Sequence, residues 1–231
     1  MKRHLQPELM DQPGLDAVEH EKALAGLRRV NSISRTAAVL WPAIAACSPL
    51  ADGKPLQVLD LASGGGDVPI ELARRAIAAG RDFHIEGCDR SPEAVRIARS
   101  RADALRLPVR FSVLDALRDP IPDGFDVITC TLFLHHLDEE NATLLLRKMA
   151  MAARRSILVD DLIRSRLGYA MAFLGCHLLS SSRIVHFDGP ASVGGAYRVP
   201  EVLGLARRAG LKGAAVSRHW PQRFLLRWER P

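Results

Sequence analysis

The chain has 231 residues, 48% hydrophobic and 25% charged, a size and balance that suit one folded α/β domain and exclude a disordered chain. Its net charge of +6 gathers near the carboxyl end, where residues 198–231 hold eight Arg or Lys against two Glu. No basic run there interleaves with aromatics, so a solvated surface is expected rather than a nucleic-acid interface.

Residues 1–13 read as a polar arm, and Met1 to Glu8 lack the apolar core of a signal peptide. The apolar run Leu167–Leu179 is too short to span a bilayer, so a cytoplasmic protein is expected. From Asp16 to Cys47 apolar residues recur at helical spacing (Leu24, Leu27, Val30, Ile33, Leu40, Trp41), which predicts two helices, with Pro42 breaking or kinking the second. Residues 1–50 are thus expected to form an arm and helical cap, and 51–231 the main domain. Ser48 to Pro55 is a loop by its turn residues.

The core then alternates strand and helix. Strands are predicted at Leu56–Leu61, Phe83–Asp89, Val109–Leu114, Phe125–Cys130 and Ile157–Asp160, and helices at Pro69–Ala79, Pro92–Leu105 and Asp138–Ala152. Ser91-Pro92-Glu93 marks a helix start by cap, proline and early negative charge, and Asp138-Glu139-Glu140 marks another. Such alternation builds a parallel, doubly wound sheet. After Asp160 the pattern loosens for some forty residues, until Val199-Pro200-Glu201 opens a helix closed at Gly210. Strands Ala214–His219 and Arg223–Glu229 follow directly on each other and predict an antiparallel hairpin. Cys47, Cys88, Cys130 and Cys176 are widely spaced with no CxxC pair, which points to buried thiols and not to disulfides or a metal site.

Acidic and polar residues fall at strand carboxyl ends: Asp60, Asp89, Asp115, the stretch Thr129–His136, and Asp160 with Asp161. In a parallel sheet these ends share one rim, where a ligand crevice lies. Gly64-Gly65-Gly66 follows the first strand and precedes a helix, so the backbone can turn tightly there and approach a ligand. The bend lacks the GxxxxGK[ST] of a P-loop, and the third glycine of a dinucleotide fingerprint is replaced by Pro69. Asp60 would repel pyrophosphate but suits a cationic group such as an ammonium. Asp89, 23 residues after Gly66, suits ribose hydroxyls. The ligand implied has a ribose, a positive end and no phosphate.

On these residues the chain resembles the class I S-adenosylmethionine-dependent methyltransferases. Val58 to Gly66 is similar to their first motif, with Ala62 in place of the first glycine; Gly87 to Ala94 is similar to the second and Asp115-Ala116 to the third. Phe125-Asp126-Val127-Ile128 through Leu134-His135-His136-Leu137 is similar to the fourth, most like the ubiquinone/menaquinone-biosynthesis type. The resemblance implies a Rossmann-like, mostly parallel seven-stranded sheet with an antiparallel last strand. It also implies S-adenosylmethionine as cofactor, held by Asp60, Ala62, Ser63, Gly64, Gly66, Asp89, Arg90, Asp115, Ala116 and Thr131. Ala196 to Glu201 and Ala209-Gly210-Leu211 resemble the small-molecule branch, whose acceptor pocket would here use residues 16–47 and the insertion 161–198.

The expected reaction is therefore O- or C-methylation of a small, apolar, phenolic or quinone-like acceptor. His186 is the preferred general base, with His135 and His136 as alternatives. Trp41, Arg198 and His177 are candidates for contacting the acceptor, and no metal is expected. The competing readings are an RNA methyltransferase, a cofactor-binding protein without catalysis, and a nicotinamide dehydrogenase.

Overall fold

Leu56–Leu61 (β1) lies next to the middle strand of a seven-stranded sheet in the computed structural model, which describes residues 1–11, 19, 22, 23, 26, 29, 35–47 and 53–231. The other strands are Phe83–Asp89 (β2), Val109–Val113 (β3), Val127–Thr131 (β4), Ser156–Leu162 (β5), Ala215–His219 (β6) and Arg223–Glu229 (β7). Their order is β3-β2-β1-β4-β5-β7-β6. β1 to β5 pair in parallel, β7 is antiparallel to both β5 and β6, and β6 thus runs with the parallel set.

Side chains alternate across the strands, so each face collects its own core. Leu59, Leu61, Ile128, Cys130, Ile157 and Val159 face the helices Glu139–Ala152 (α4) and Val199–Arg208 (α7). Leu56, Val58, Ile85, Val127 and Leu158 face Thr36–Ala45 (α1) and Asp67–Ala78 (α2). Pro92–Ala104 (α3) packs Val95, Ala98 and Ala102 against Phe111 of β3. Ser91 caps α3 and Asp138 caps α4, each accepting a backbone N–H with its side chain. All four cysteines are buried thiols.

Three expectations need correction. α1 continues three residues beyond Pro42 to Ala45 rather than breaking there. The predicted β4 starts two residues later, at Val127, and ends one later, at Thr131, because Asp126 is spent on the Gln57 backbone N–H ahead of the strand (2.9 Å). The insertion is not loose: it holds the helices Arg166–Leu179 (α5) and Arg183–Gly195 (α6). Gly189 and Pro190 disguise α6 in the sequence, yet the helix runs through both. Of the predicted first cap helix, Leu24, Leu27, Val30 and Ile33 lie outside the described residues, as does loop 48–52. Among the described residues no helix is long and apolar enough to cross a membrane.

Candidate active site

β1 ends in a bend whose Ala62, Gly64 and Gly66 all take positive φ, at 53°, 52° and 78°. The two glycines serve different ends. A Cβ on Gly66 would meet the Phe111 ring at 2.7 Å, so this position is fixed by packing. A Cβ on Gly64 would meet nothing within 4 Å, so the chain there borders open space. Asp89 ties the end of β2 to the bend, accepting from Gly64 N (2.8 Å) and Ser91 N (2.9 Å). Arg101 of α3, which sequence reasoning missed, clamps the far side by donating to Gly65 O and pairing with Asp67 at 2.6 Å.

Asp60 is fully buried beneath the bend. Its Oδ1 accepts from the Thr129 hydroxyl of β4 at 2.5 Å, while Oδ2 has no hydrogen-bond partner among the described residues, nor has the buried Ser63 Oγ. Burial raises the Asp60 pKa to about 7, with the Asp89 charge adding and the Thr129 hydrogen bond offsetting part of the rise. A carboxyl left partnerless in the interior is costly unless a cation or donor meets it. The residues present therefore fit a ligand with an ammonium group. At the end of β3, Asp115 accepts from Leu117 N and Arg118 N and is half-buried, beside the buried Ala116. Arg90 is exposed and Thr131 half-buried at the end of β4.

Further along the rim, Asp160 and Asp161 end β5 pointing to opposite faces. Asp160 pairs with the buried Arg223 and with His219 (2.5 Å), and Arg223 also donates to Thr36 Oγ1 at 2.8 Å. Asp161 meets His135, which sits on a short 3-10 turn, Leu134–His136, after β4. The contacts are Nδ1 to Oδ1 at 2.7 Å and the His135 backbone N–H to Oδ2 at 3.0 Å. Burial alone would lower the imidazole, but the Asp161 charge and hydrogen bond, with Glu8 beyond, carry it to about 9. The same pairing outweighs burial at Asp161 and holds that carboxyl below its ordinary range.

The predicted acceptor residues scatter. Trp41 packs its ring on Phe83, the first residue of β2, with centroids 5.5 Å apart. That is the amino end of the sheet, away from the rim, because helix polarity relative to the strands is not written in the apolar pattern. His177 is exposed on α5 and donates Nδ1–H to Phe173 O (2.8 Å). Its ring stacks at 4.0 Å on His186, which donates Nε2–H to Ser180 O (2.7 Å). His186 stands nine residues, roughly 14 Å of helix, before Gly195, the part of α6 that abuts His135. Among the described residues nothing joins the His177–His186 pair to the rim carboxylates, so the structure gives His186 no support as the base. Arg198 is exposed, donates its backbone N–H to Glu201 Oε2 (2.8 Å) and its guanidinium to Met1 O (2.7 Å). It also lines a cavity of about 360 Å³ at the rim beyond β5, with Arg164, Ser165, Arg218 and His219.

Several basic carboxyl-terminal residues have partners within the chain, some of them at the surface. Arg208 pairs with Glu139, Arg223 with Asp160 and Arg227 with Glu229, and Arg230 binds the carbonyls of Ala150, Met151 and Ala153.

Residues 58–156 match the family described as a methyltransferase domain. A demethylmenaquinone methyltransferase of Deinococcus radiodurans is 44% identical over 91 residues, covering 39% of this chain and 36% of the relative. A ubiquinone biosynthesis O-methyltransferase of Aeromonas salmonicida is 26% identical over 127 residues, covering 53% of this chain and 50% of its own. The chain thus spans between about a third and a half of the length of these relatives. The solved S-adenosylmethionine-dependent methyltransferase SibL superposes over 99% of this chain and 63% of its own, with a TM-score of 0.69 at 21% identity, a likeness of fold. Through residues 58–156 the chain is thus similar to a methyltransferase domain, and its fold is like that of solved S-adenosylmethionine-dependent methyltransferases.

Proposed function

We propose that the protein methylates a small, largely apolar acceptor of phenolic or quinone type, using S-adenosylmethionine. The observation that carries this reading is the buried Asp60 Oδ2, without a hydrogen-bond partner among the described residues, beneath a glycine bend that Gly64 leaves open. The bound cofactor supplies an electrophilic methyl group on a sulfonium. Asp60 and Ser63 Oγ receive the cofactor's amino-acid end. Asp89 keeps lone pairs beyond its two backbone bonds and accepts from the ribose hydroxyls. Asp115 and Ala116 would border the adenine, and α2 begins at the bend with its positive dipole end toward it.

Methyl transfer at a sulfonium is an in-line displacement, so the protein's task is to align the acceptor and exclude water. The cavity beyond β5, with Arg218 and Arg198 on its wall, suits an acceptor that carries an acidic oxygen. The quinone-related names of two relatives support the same acceptor class. An RNA substrate is less favoured, since Arg208, Arg223 and Arg227 of the basic stretch are each paired with a carboxylate.

Calorimetry with S-adenosylmethionine and S-adenosylhomocysteine, followed by mass spectrometry of products from a panel of phenols and hydroquinones, tests the proposal. Asp89→Ala should abolish cofactor binding while the circular dichroism spectrum stays unchanged. Tighter binding of NADH than of S-adenosylmethionine would overturn the reading. Cofactor binding with no transfer to any acceptor would reduce the protein to a cofactor-binding role.

A further inference from the structure

Glu8 reaches the rim on the amino-terminal arm, and that arm is seated independently of it. His4 N donates to Gly194 O, Arg3 Nε to Gly195 O (2.7 Å), and Leu9 N and Met10 N both to the Asp188 carboxylate. Ser192 Oγ donates to Glu8 Oε1 and fixes the carboxylate's direction. That oxygen faces two imidazoles at once, His135 Nε2 at 3.7 Å and His136 Nε2 at 3.9 Å. All three atoms lie within 4.8 Å of one another.

These separations are too long for hydrogen bonds, which close at ~2.7–3.2 Å. The two Glu8–imidazole separations lie a few tenths of an ångström outside the edge of a tetrahedron built on ~2.1 Å metal–ligand bonds, an edge of roughly 3.4 Å. The outer contacts agree. His135 is held through its other nitrogen by Asp161, the carboxylate–histidine arrangement that orients a ligating imidazole and fixes its tautomer. Glu8 and Asp161, both buried, together bring two negative charges to His135, which balances one dication. His136, half-buried where His135 is buried, leaves one side of the cluster open to solvent.

We propose that Glu8, His135 and His136 form a binding site for a divalent first-row transition metal, zinc above all, with Asp161 positioning His135. Two imidazoles and one carboxylate are a zinc ligand set that leaves a fourth position for water or an oxygen ligand. The metal would also fasten the amino-terminal arm to the turn after β4, two segments that the chain separates by more than a hundred residues. The site stands on its own ligands and does not depend on the cofactor reading.

The test uses the untagged full-length chain, stripped with a chelator and titrated with zinc by calorimetry and with cobalt by its visible absorption. One metal per chain is expected, together with a rise in melting temperature on adding zinc. Glu8→Gln and His136→Ala should each weaken binding at least ~10-fold and abolish the melting shift, and Asp161→Asn should weaken it ~10–100-fold. If Asp161→Asn fails to fold, the two other variants, on the arm and at the half-exposed ring, still decide between a metal site and an ion pair. Binding no tighter than millimolar would overturn the proposal and leave an ion pair only. Unchanged affinity in the Glu8→Gln/His136→Ala double variant would also overturn it, by placing the metal elsewhere, for example at the His177–His186 pair.

Discussion

Replacing Asp60 by Asn removes a buried charge while keeping the side chain's shape and its acceptance of the Thr129 hydroxyl. In the ligand-free protein the carboxyl's pKa stands at about 7 against an ordinary 3.8, with burial the leading cause. The folded state therefore keeps a proton that the unfolded chain has lost, and the wild type loses stability as pH rises from about 4 to about 7. Each pH unit across that window removes ~1.4 kcal/mol, so the full effect is about 4 kcal/mol at neutral pH and above. The Asn variant carries no such dependence, although its amide adds a pH-independent cost of ~1–3 kcal/mol for an unpaired N–H. Urea unfolding of both proteins at several pH values isolates the linkage. The stability difference should move in favour of Asp60→Asn by about 2–3 kcal/mol between pH 5 and pH 7.5, whatever its value at pH 5. In the same variant, affinity for S-adenosylmethionine should fall at least ~10-fold. A stability difference that stays constant across that pH range would show that Asp60 is ionised or solvated in the folded state, and would refute its burial as a ligand-seeking carboxyl.

Two further outcomes follow from the same geometry. Gly66→Ala should destabilise by roughly 2–4 kcal/mol, since it adds a clash with Phe111 to a left-handed backbone, whereas Gly64→Ala should cost only about 1 kcal/mol. The second variant should instead lose cofactor affinity, and equal melting losses for the two would contradict the open bend. Asp160→Ala strands the buried Arg223 and should cost ~3–5 kcal/mol in urea unfolding; a loss below about 1 kcal/mol would mean that water or Thr36 already satisfies the guanidinium.

What the sequence made legible was local. Strand–helix alternation, the caps at Ser91 and Asp138, and acids at strand ends are set within a few residues, and they recur in the structure within a residue or two. α6 escaped because its Gly189 and Pro190 mimic a loop, while buried Asp188 and Val185 hold it as a helix. The partners of the site escaped for a different reason, their distance along the chain. Glu8 joins His135, Arg101 joins Gly65 and Arg223 joins Asp160 across spans that no periodicity encodes. Trp41 looked like a pocket wall because an apolar stripe tells which face of a helix is buried, not which end of the sheet it covers.

The adjacent carboxylates of β5 bear on how the sheet assembles. Asp160 belongs to the face where Arg223 and His219 wait, and Asp161 to the face where His135 waits. A misregistered β5, slid by a single position, would set a carboxylate in only one of these two places and an apolar side chain in the other, so that either Arg223 with His219 or His135 loses its β5 counter-charge. One buried cation stranded in this way, worth several kcal/mol, would proofread the strand's alignment during folding more strictly than its Ile, Leu and Val residues, which look alike from either side.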